Sequence, residues 1–137
     1  MSINKCKIIS INKISDTRGN LCFIESMKLI KFEIKRVYYL YDVPGGSERG
    51  EHAHKKLNQL IIPLSGSFNV MIDDGSDKKD IFMNKSNEGL YVCEGIWRNI
   101  HNFSSGSVCL VLASDYYDEN DYIRCYSSFK RYVNEKC

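Results

Sequence analysis

A chain of 137 residues with 43 % hydrophobic and 26 % charged side chains has the composition of one globular domain, residues 1–137, and not of a disordered or fibrous protein. Its formal net charge of +2 gives no electrostatic basis for nucleic acid or an anionic membrane as partner. The segment up to Asp16 lacks an apolar run long enough for a secretory signal, and no later segment approaches the roughly 18 apolar residues of a membrane helix, so a cytoplasmic location is expected.

In chain order, short β-rich runs separated by turn signals cover Lys7 to Ile11, Leu21 to Glu25, Lys35 to Tyr41, Gln59 to Leu64, Ser67 to Ile72, Lys79 to Met83, Gly89 to Cys93, His101 to Phe103 and Val108 to Ser114. That spacing predicts an all-β sandwich or barrel. L-S-G-S at Leu64 to Ser67 and D-D-G-S at Asp73 to Ser76 read as hairpin turns. From Asp118 the pattern changes. Tyr122, Cys125 or Tyr126, Phe129 and Val133 fall at helical spacing, with acidic residues first and Lys130 and Arg131 near the end, which predicts one short C-terminal helix over about 118–133. The six cysteines, Cys6, Cys22, Cys93, Cys109, Cys125 and Cys137, show no C-x-x-C spacing, so zinc-ribbon and thioredoxin readings fail. Reduced and mostly buried thiols are expected, with Cys137 the most exposed.

One stretch carries chemistry. Gly46 to Gly66 reads G-S-E-R-G-E-H-A-H-K-K-L-N-Q-L-I-I-P-L-S-G, which matches the spacing of the first cupin signature except that Gln59 stands where that signature has a glutamate. The second signature has a third histidine in G…P…H-x-x-x-N, and here Gly89 to Asn102 puts Arg98 in its place. A guanidinium has donors and no lone pair, so it repels a cation, and a neutral amide is a poor metal ligand. No metal and no cofactor are therefore expected. The pattern points to a cupin jelly-roll pocket whose imidazoles are free to move protons.

Residues two apart on a strand face the same way, so His52 and His54 point to one side, and the cupin spacing makes that side the interior. Imidazole, with an ordinary pKa of about 6.5, suits proton transfer in both directions near neutrality. Tyr38 and Leu40 share one face of the preceding strand, while Tyr39 and Tyr41 share the other. Arg18, Arg36, Arg49 and Arg98 lie in or beside the segments that would form the barrel mouth, where guanidinium forks fit diphosphate oxygens. Trp97 and the tyrosines could stack on a base or sugar, although a core position for Trp97 stands beside that reading. For His101 a structural role is expected.

These residues resemble the sugar 3,4-ketoisomerases. R-G-N-L, I-K-R-V-Y-Y-L-Y-D, R-G-E-H-A-H-K-K-L-N-Q, G-L-Y-V, I-W-R-N-I-H-N-F-S, L-V-L-A-S-D-Y-Y-D-E-N-D-Y-I-R and Y-S-S-F carry the likeness from about Asp16 to Phe129. The resemblance implies a metal-free cupin, similar in fold to the dTDP-sugar 3,5-epimerases, that converts dTDP-4-keto-6-deoxy-D-glucose to its 3-keto isomer, a precursor of 3-amino-3,6-dideoxyhexoses in bacterial surface polysaccharide. A homodimer is implied as well. By position, His52 would be the base at C3, with His54 a second proton-handling or orienting group and Tyr38 a nearby hydroxyl. Arg18, Arg49, Gln59, Trp97, Arg98 and Asn102 would bind substrate. Arginine at both 18 and 98 matches neither pairing expected for a defined C4 configuration, so that configuration stays open.

Two alternatives stand beside this reading. A dTDP-sugar 3,5-epimerase uses a catalytic Tyr with a His-Asp pair, and no H-x-x-D motif stands at the matching place. A non-catalytic sugar-nucleotide-binding module would keep the pocket without turnover.

Overall fold

In the computed structural model, residues 2–136 are described, with side chains through residue 135; Cys137 lies outside them. The strands are β1 (Lys7–Ser10), β2 (Lys13–Asp16), β3 (Gly19–Cys22), β4 (Arg36–Leu40), β5 (Arg49–His54), β6 (Gln59–Ser65), β7 (Phe68–Asp73), β8 (Lys78–Met83), β9 (Glu88–Val92), β10 (Trp97–His101), β11 (Val108–Ala113) and β12 (Tyr122–Ile123), followed by helix α1 (Tyr126–Lys136). They form the expected all-β architecture, with two five-stranded antiparallel sheets ordered β1-β9-β6-β11-β4 and β12-β5-β10-β7-β8 and a separate β2-β3 hairpin.

Strand β6 shows why the apolar runs are so dense. Ile61 joins the central core with Phe68, Val70, Ile72, Leu90, Val92 and Ile96, whereas Leu60 and Ile62 belong to a second cluster with Ile11, Ile30, Phe32 and Leu112. Both faces of that strand are covered, so Leu60-Ile61-Ile62 carries no polar alternation. Gly66, in the turn between β6 and β7, has φ of +69°, and a Cβ there would lie 2.5 Å from Ser104 Oγ and 2.9 Å from the Ser107 backbone. Only glycine fits that close approach.

Three departures from the sequence reading have physical reasons. The C-terminal helix starts at Tyr126, not near Asp118. Asp118 instead caps a 3-10 turn over Glu119–Asp121, and Tyr122 and Ile123 pair with His54 and Ala53 at the edge of β5. The edge of β5 recruits this segment because its backbone groups need partners. Phe129 and Val133 do form the buried face of α1, packing with Trp97, Ala53 and Ile123. Strand β10 spans Trp97–His101 where His101 to Phe103 was expected, since Arg98 and Asn99 mask its strand character. The β2-β3 hairpin is exposed at every strand position and so carries no burial alternation to read. The thiols agree with the expectation of mostly buried cysteines: Cys6, Cys93 and Cys109 are buried, and Cys22 and Cys125 are exposed.

Candidate active site

A cavity of about 350 Å³ opens between the two sheets, within the size range of small-molecule sites. The first sheet contributes Arg36, Tyr38 and Leu40 from β4 and Gln59 and Ile61 from β6; the second contributes Arg49, Gly50, Glu51 and His52 from β5 and Arg98 and Ile100 from β10. Tyr122 and Arg124 close the rim. Alternation on β4 puts Tyr38 and Leu40 inward and leaves Tyr39 and Tyr41 exposed.

Arg98 stands opposite His52 in the β5-β10 register and is 2 % exposed. Its Nη2 donates to the Ile96 carbonyl at 3.1 Å, and its Nη1 donates to Gln59 Oε1. Gln59 in turn donates through Nε2 to the Tyr38 hydroxyl at 3.0 Å. The two residues that replace the histidine and glutamate of a metal-binding cupin thus hydrogen-bond each other. A buried cation paired with a carbonyl oxygen occupies the region where metal ligands would converge. Burial lowers the pKa of Arg98 and raises that of Tyr38, the latter opposed by the Arg98 charge.

His52 and His54 meet edge to face, with their Nε2 atoms 2.9 Å apart. His52 lines the cavity and His54 lies behind it, 1 % exposed. Burial first, and the Arg98 charge second, push His52 down to about 3 and hold His54 far below the usual imidazole range. Both rings are neutral at pH 7 and can accept a proton. His54 Nδ1 lies 3.2 Å from Asp121 Oδ2, a carboxylate 67 residues away in sequence. That His-Asp pair has no local sequence signature, because β12 brings Asp121 to the end of β5.

At the rim, Arg124 lies 4.2 Å above the Tyr122 ring and donates through Nε and Nη2 to Glu119 at 2.6 and 2.8 Å. Those hydrogen bonds, with one from Tyr117, hold the Glu119 carboxyl down at about 2. With Arg36, Arg49, Arg98 and Arg124 against the single carboxylate Glu51, the cavity lining is strongly cationic. The Nε of Arg36 is buried without a hydrogen-bond partner.

Of the residues expected from sequence, the fold brings Tyr38, Arg49, His52, Gln59 and Arg98 together on the cavity wall, with His54 directly behind. Three are elsewhere in this chain. Arg18 is exposed in the β2-β3 turn and paired with Asp16 at 2.8 Å. Trp97 is 7 % exposed and packs on Tyr126 and Phe129, so it is core. Asn102 sits at φ of +58° and donates to Asn69 at 2.9 Å. His101 has the structural place expected of it, with Asp80 as a partner at 2.8 Å. Sequence reasoning missed Tyr122, Arg124 and Asp121 because their spacing was read as helix.

The "WxcM-like, C-terminal" family model, FdtA, matches residues 4–134. A relative named TDP-4-oxo-6-deoxy-alpha-D-glucose-3,4-oxoisomerase, from Aneurinibacillus thermoaerophilus, is 51 % identical over 127 residues, covering 93 % of this chain and 91 % of its own. A solved 3,4-ketoisomerase from Helicobacter canadensis is 46 % identical with a TM-score of 0.92, covering 94 % of this chain and 97 % of that one. QdtA, a sugar 3,4-ketoisomerase from Thermoanaerobacterium thermosaccharolyticum solved with TDP, is 39 % identical with a TM-score of 0.95, and the match covers 98 % of each chain. The fold is that of the cupin sugar-nucleotide enzymes. Set beside the neutral imidazoles and cationic wall, these likenesses decide between the enzymatic readings: this chain belongs to the FdtA family of sugar 3,4-ketoisomerases and is an isomerase.

Proposed function

We propose that this isomerase acts on dTDP-4-keto-6-deoxy-D-glucose and moves the carbonyl from C4 to C3, supplying a dTDP-3-keto-6-deoxyhexose for 3-amino-3,6-dideoxyhexoses of surface polysaccharide. The observation that carries the reading is His52, a neutral imidazole on the wall of a cavity whose other polar groups are mainly hydrogen-bond donors. The ketone at C4 acidifies the C3 hydrogen. His52 takes that proton, and the C–H electron pair moves into a C3–C4 enediolate. A proton, exchangeable with solvent while it is held on imidazole nitrogen, is delivered to C4, the hydroxyl proton on O3 passes to O4, and the carbonyl is left at C3. Atoms and electrons balance without metal or cofactor.

The enediolate oxygens need donors. Arg98, Gln59 and the Tyr38 hydroxyl form one connected group beside His52, and preorganised donors of this kind stabilise developing negative charge. His54 handles or orients the proton behind His52. Arg49, with Arg36 and Arg124, suits the diphosphate; the unpartnered Nε of Arg36 is a donor that a ligand oxygen would satisfy. Arg18, Trp97 and Asn102 keep the substrate-binding role implied by resemblance only if assembly or ligand binding brings them to the cavity. We assign the protein a cytoplasmic location and a homodimeric state, with no nucleic-acid or membrane partner. No helix among the described residues is long and apolar enough to cross a membrane.

The test is incubation of the purified protein with dTDP-4-keto-6-deoxyglucose in deuterated water, followed by proton NMR of the sugar. A 3-keto sugar with deuterium at C4 is expected, and the H4–H5 coupling of product formed in ordinary water names its configuration. Deuterium at C3 and C5 with the carbonyl unmoved would mean 3,5-epimerisation. No exchange at all would end the reading for this substrate and favour a binding module.

A further inference from the structure

We infer that Asp121 is a positioning residue that sets the tautomers of both histidines, leaving Nδ1 of His52 as the free lone pair that accepts the substrate proton. The inference rests on the isomerase reading above for its catalytic consequence, but not for its geometry.

A carboxylate only accepts hydrogen bonds, so the 3.2 Å contact between Asp121 Oδ2 and His54 Nδ1 places the His54 proton on Nδ1. A neutral imidazole carries one N–H. Nε2 of His54 is then a bare lone pair. The 2.9 Å contact between the two Nε2 atoms needs one hydrogen, and only His52 can supply it. His52 is therefore the Nε2–H tautomer, and its unprotonated nitrogen is Nδ1. Two neighbouring contacts stop Asp121 from turning away. Its Oδ1 accepts from the Lys56 amide at 2.8 Å, and its own carbonyl accepts from the Lys55 amide at 3.0 Å. Asp121 is thus tied to the chain directly after His54.

The arrangement also gives the abstracted proton somewhere to go. When a proton arrives at Nδ1 of His52, the proton on its Nε2 can cross to Nε2 of His54. The positive charge then sits on His54, the ring that faces the Asp121 carboxylate. Return of both protons along the same path restores the neutral pair. On the forward path two N–H bonds form while one N–H bond and the substrate C3–H bond break, the return reverses both, and no external acid or base is needed.

The test combines a spectroscopic and a kinetic readout. The chain has 3 histidines, so nitrogen-15 labelling of imidazoles in the intact, ligand-free protein gives a tractable spectrum. The expected result at pH 7 is His54 protonated on Nδ1 and His52 on Nε2; His54 protonated on Nε2 would overturn the inference. In Asp121→Asn the carboxamide oxygen can still accept from Lys56 while its NH₂ group faces His54 Nδ1. The tautomers of both rings should invert, and kcat should fall about 10³-fold with KM within about threefold of the parent, a magnitude within the range of lost acid–base catalysis. Unchanged tautomers, or kcat within about threefold of the parent, would overturn the assignment. If the unmodified protein does not isomerise the 4-keto sugar, the substrate reading fails, and the nitrogen spectrum of that same protein still decides the role of Asp121.

Discussion

The space between the two sheets has two halves that obey opposite rules. Toward one end, Phe68, Val70, Ile72, Leu90, Val92 and Ile96 are all 0 % exposed and their side chains belong to one apolar cluster. Toward the other, His52, His54, Gln59 and Arg98 are between 1 and 8 % exposed, and each polar group is held by another. Strand β10 contributes to both, with Arg98 and Ile100 two residues apart on one face. The apolar half gains stability from area removed from water and tolerates no voids. The polar half offsets desolvation by hydrogen bonding, so its residues are better explained by chemistry than by stability.

Substitutions sharpen that division. The largest effect is expected for His52→Asn, which removes the proposed base and should lower kcat about 10³-fold while the urea midpoint stays near that of the parent. A large fall in the midpoint instead would make His52 part of the structural half. Phe68→Ala should do the reverse, reducing unfolding free energy by about 3–5 kcal/mol in urea titrations while folded molecules turn over at the parent rate. Equal loss of turnover per folded molecule would erase the division.

Arg98→Met tests how the polar half is coupled. It should lower kcat about 10²-fold through loss of the proposed enediolate donor. Because the Arg98 charge is the second cause of the low His52 pKa, NMR titration should show His52 protonating at higher pH than in the parent. An unmoved titration would leave burial and the other arginines as the cause.

The smallest effect concerns pH. His52 is depressed from 6.5 to about 3, so in this range the unfolded chain binds a proton that the folded one refuses. Its contribution to stability is complete above pH 6.5 and is lost as pH falls toward 3. Urea titrations at pH 7.5, 5.5 and 4.5 should show a shallower decline for His52→Asn than for the parent. Parallel declines would place the acid sensitivity in the carboxylates.

How much of this could be read in advance depended on whether a signal was local. The glycine and histidine spacing from Gly46 to Gly66 predicts an inward His52 and His54, and the structure buries both together with Gln59, since strand alternation is set within a few residues. Arg98 was found because it stands at a motif position. Tyr122 and Arg124 were misassigned because their spacing to Phe129 fits a helix, and only the unpaired edge of β5 draws that segment into a strand. Trp97, an aromatic beside a site arginine, reads as a ligand platform in sequence, yet alternation on β10 turns it away from Arg98 and under α1.

By itself, the sequence determined the all-β class, the cupin spacing, the replacement of metal ligands by Gln59 and Arg98, and the resemblance that led to the isomerase family. These depend on residue type and on separations of a few positions along a chain whose local geometry is fixed by strand sterics. Tertiary structure alone decided that His54 meets Asp121, that Arg98 bonds Gln59, and that four arginines and one carboxylate line the same cavity. Those pairings join segments remote in sequence, and their energies depend on burial and on angles that exist only after the two sheets have packed.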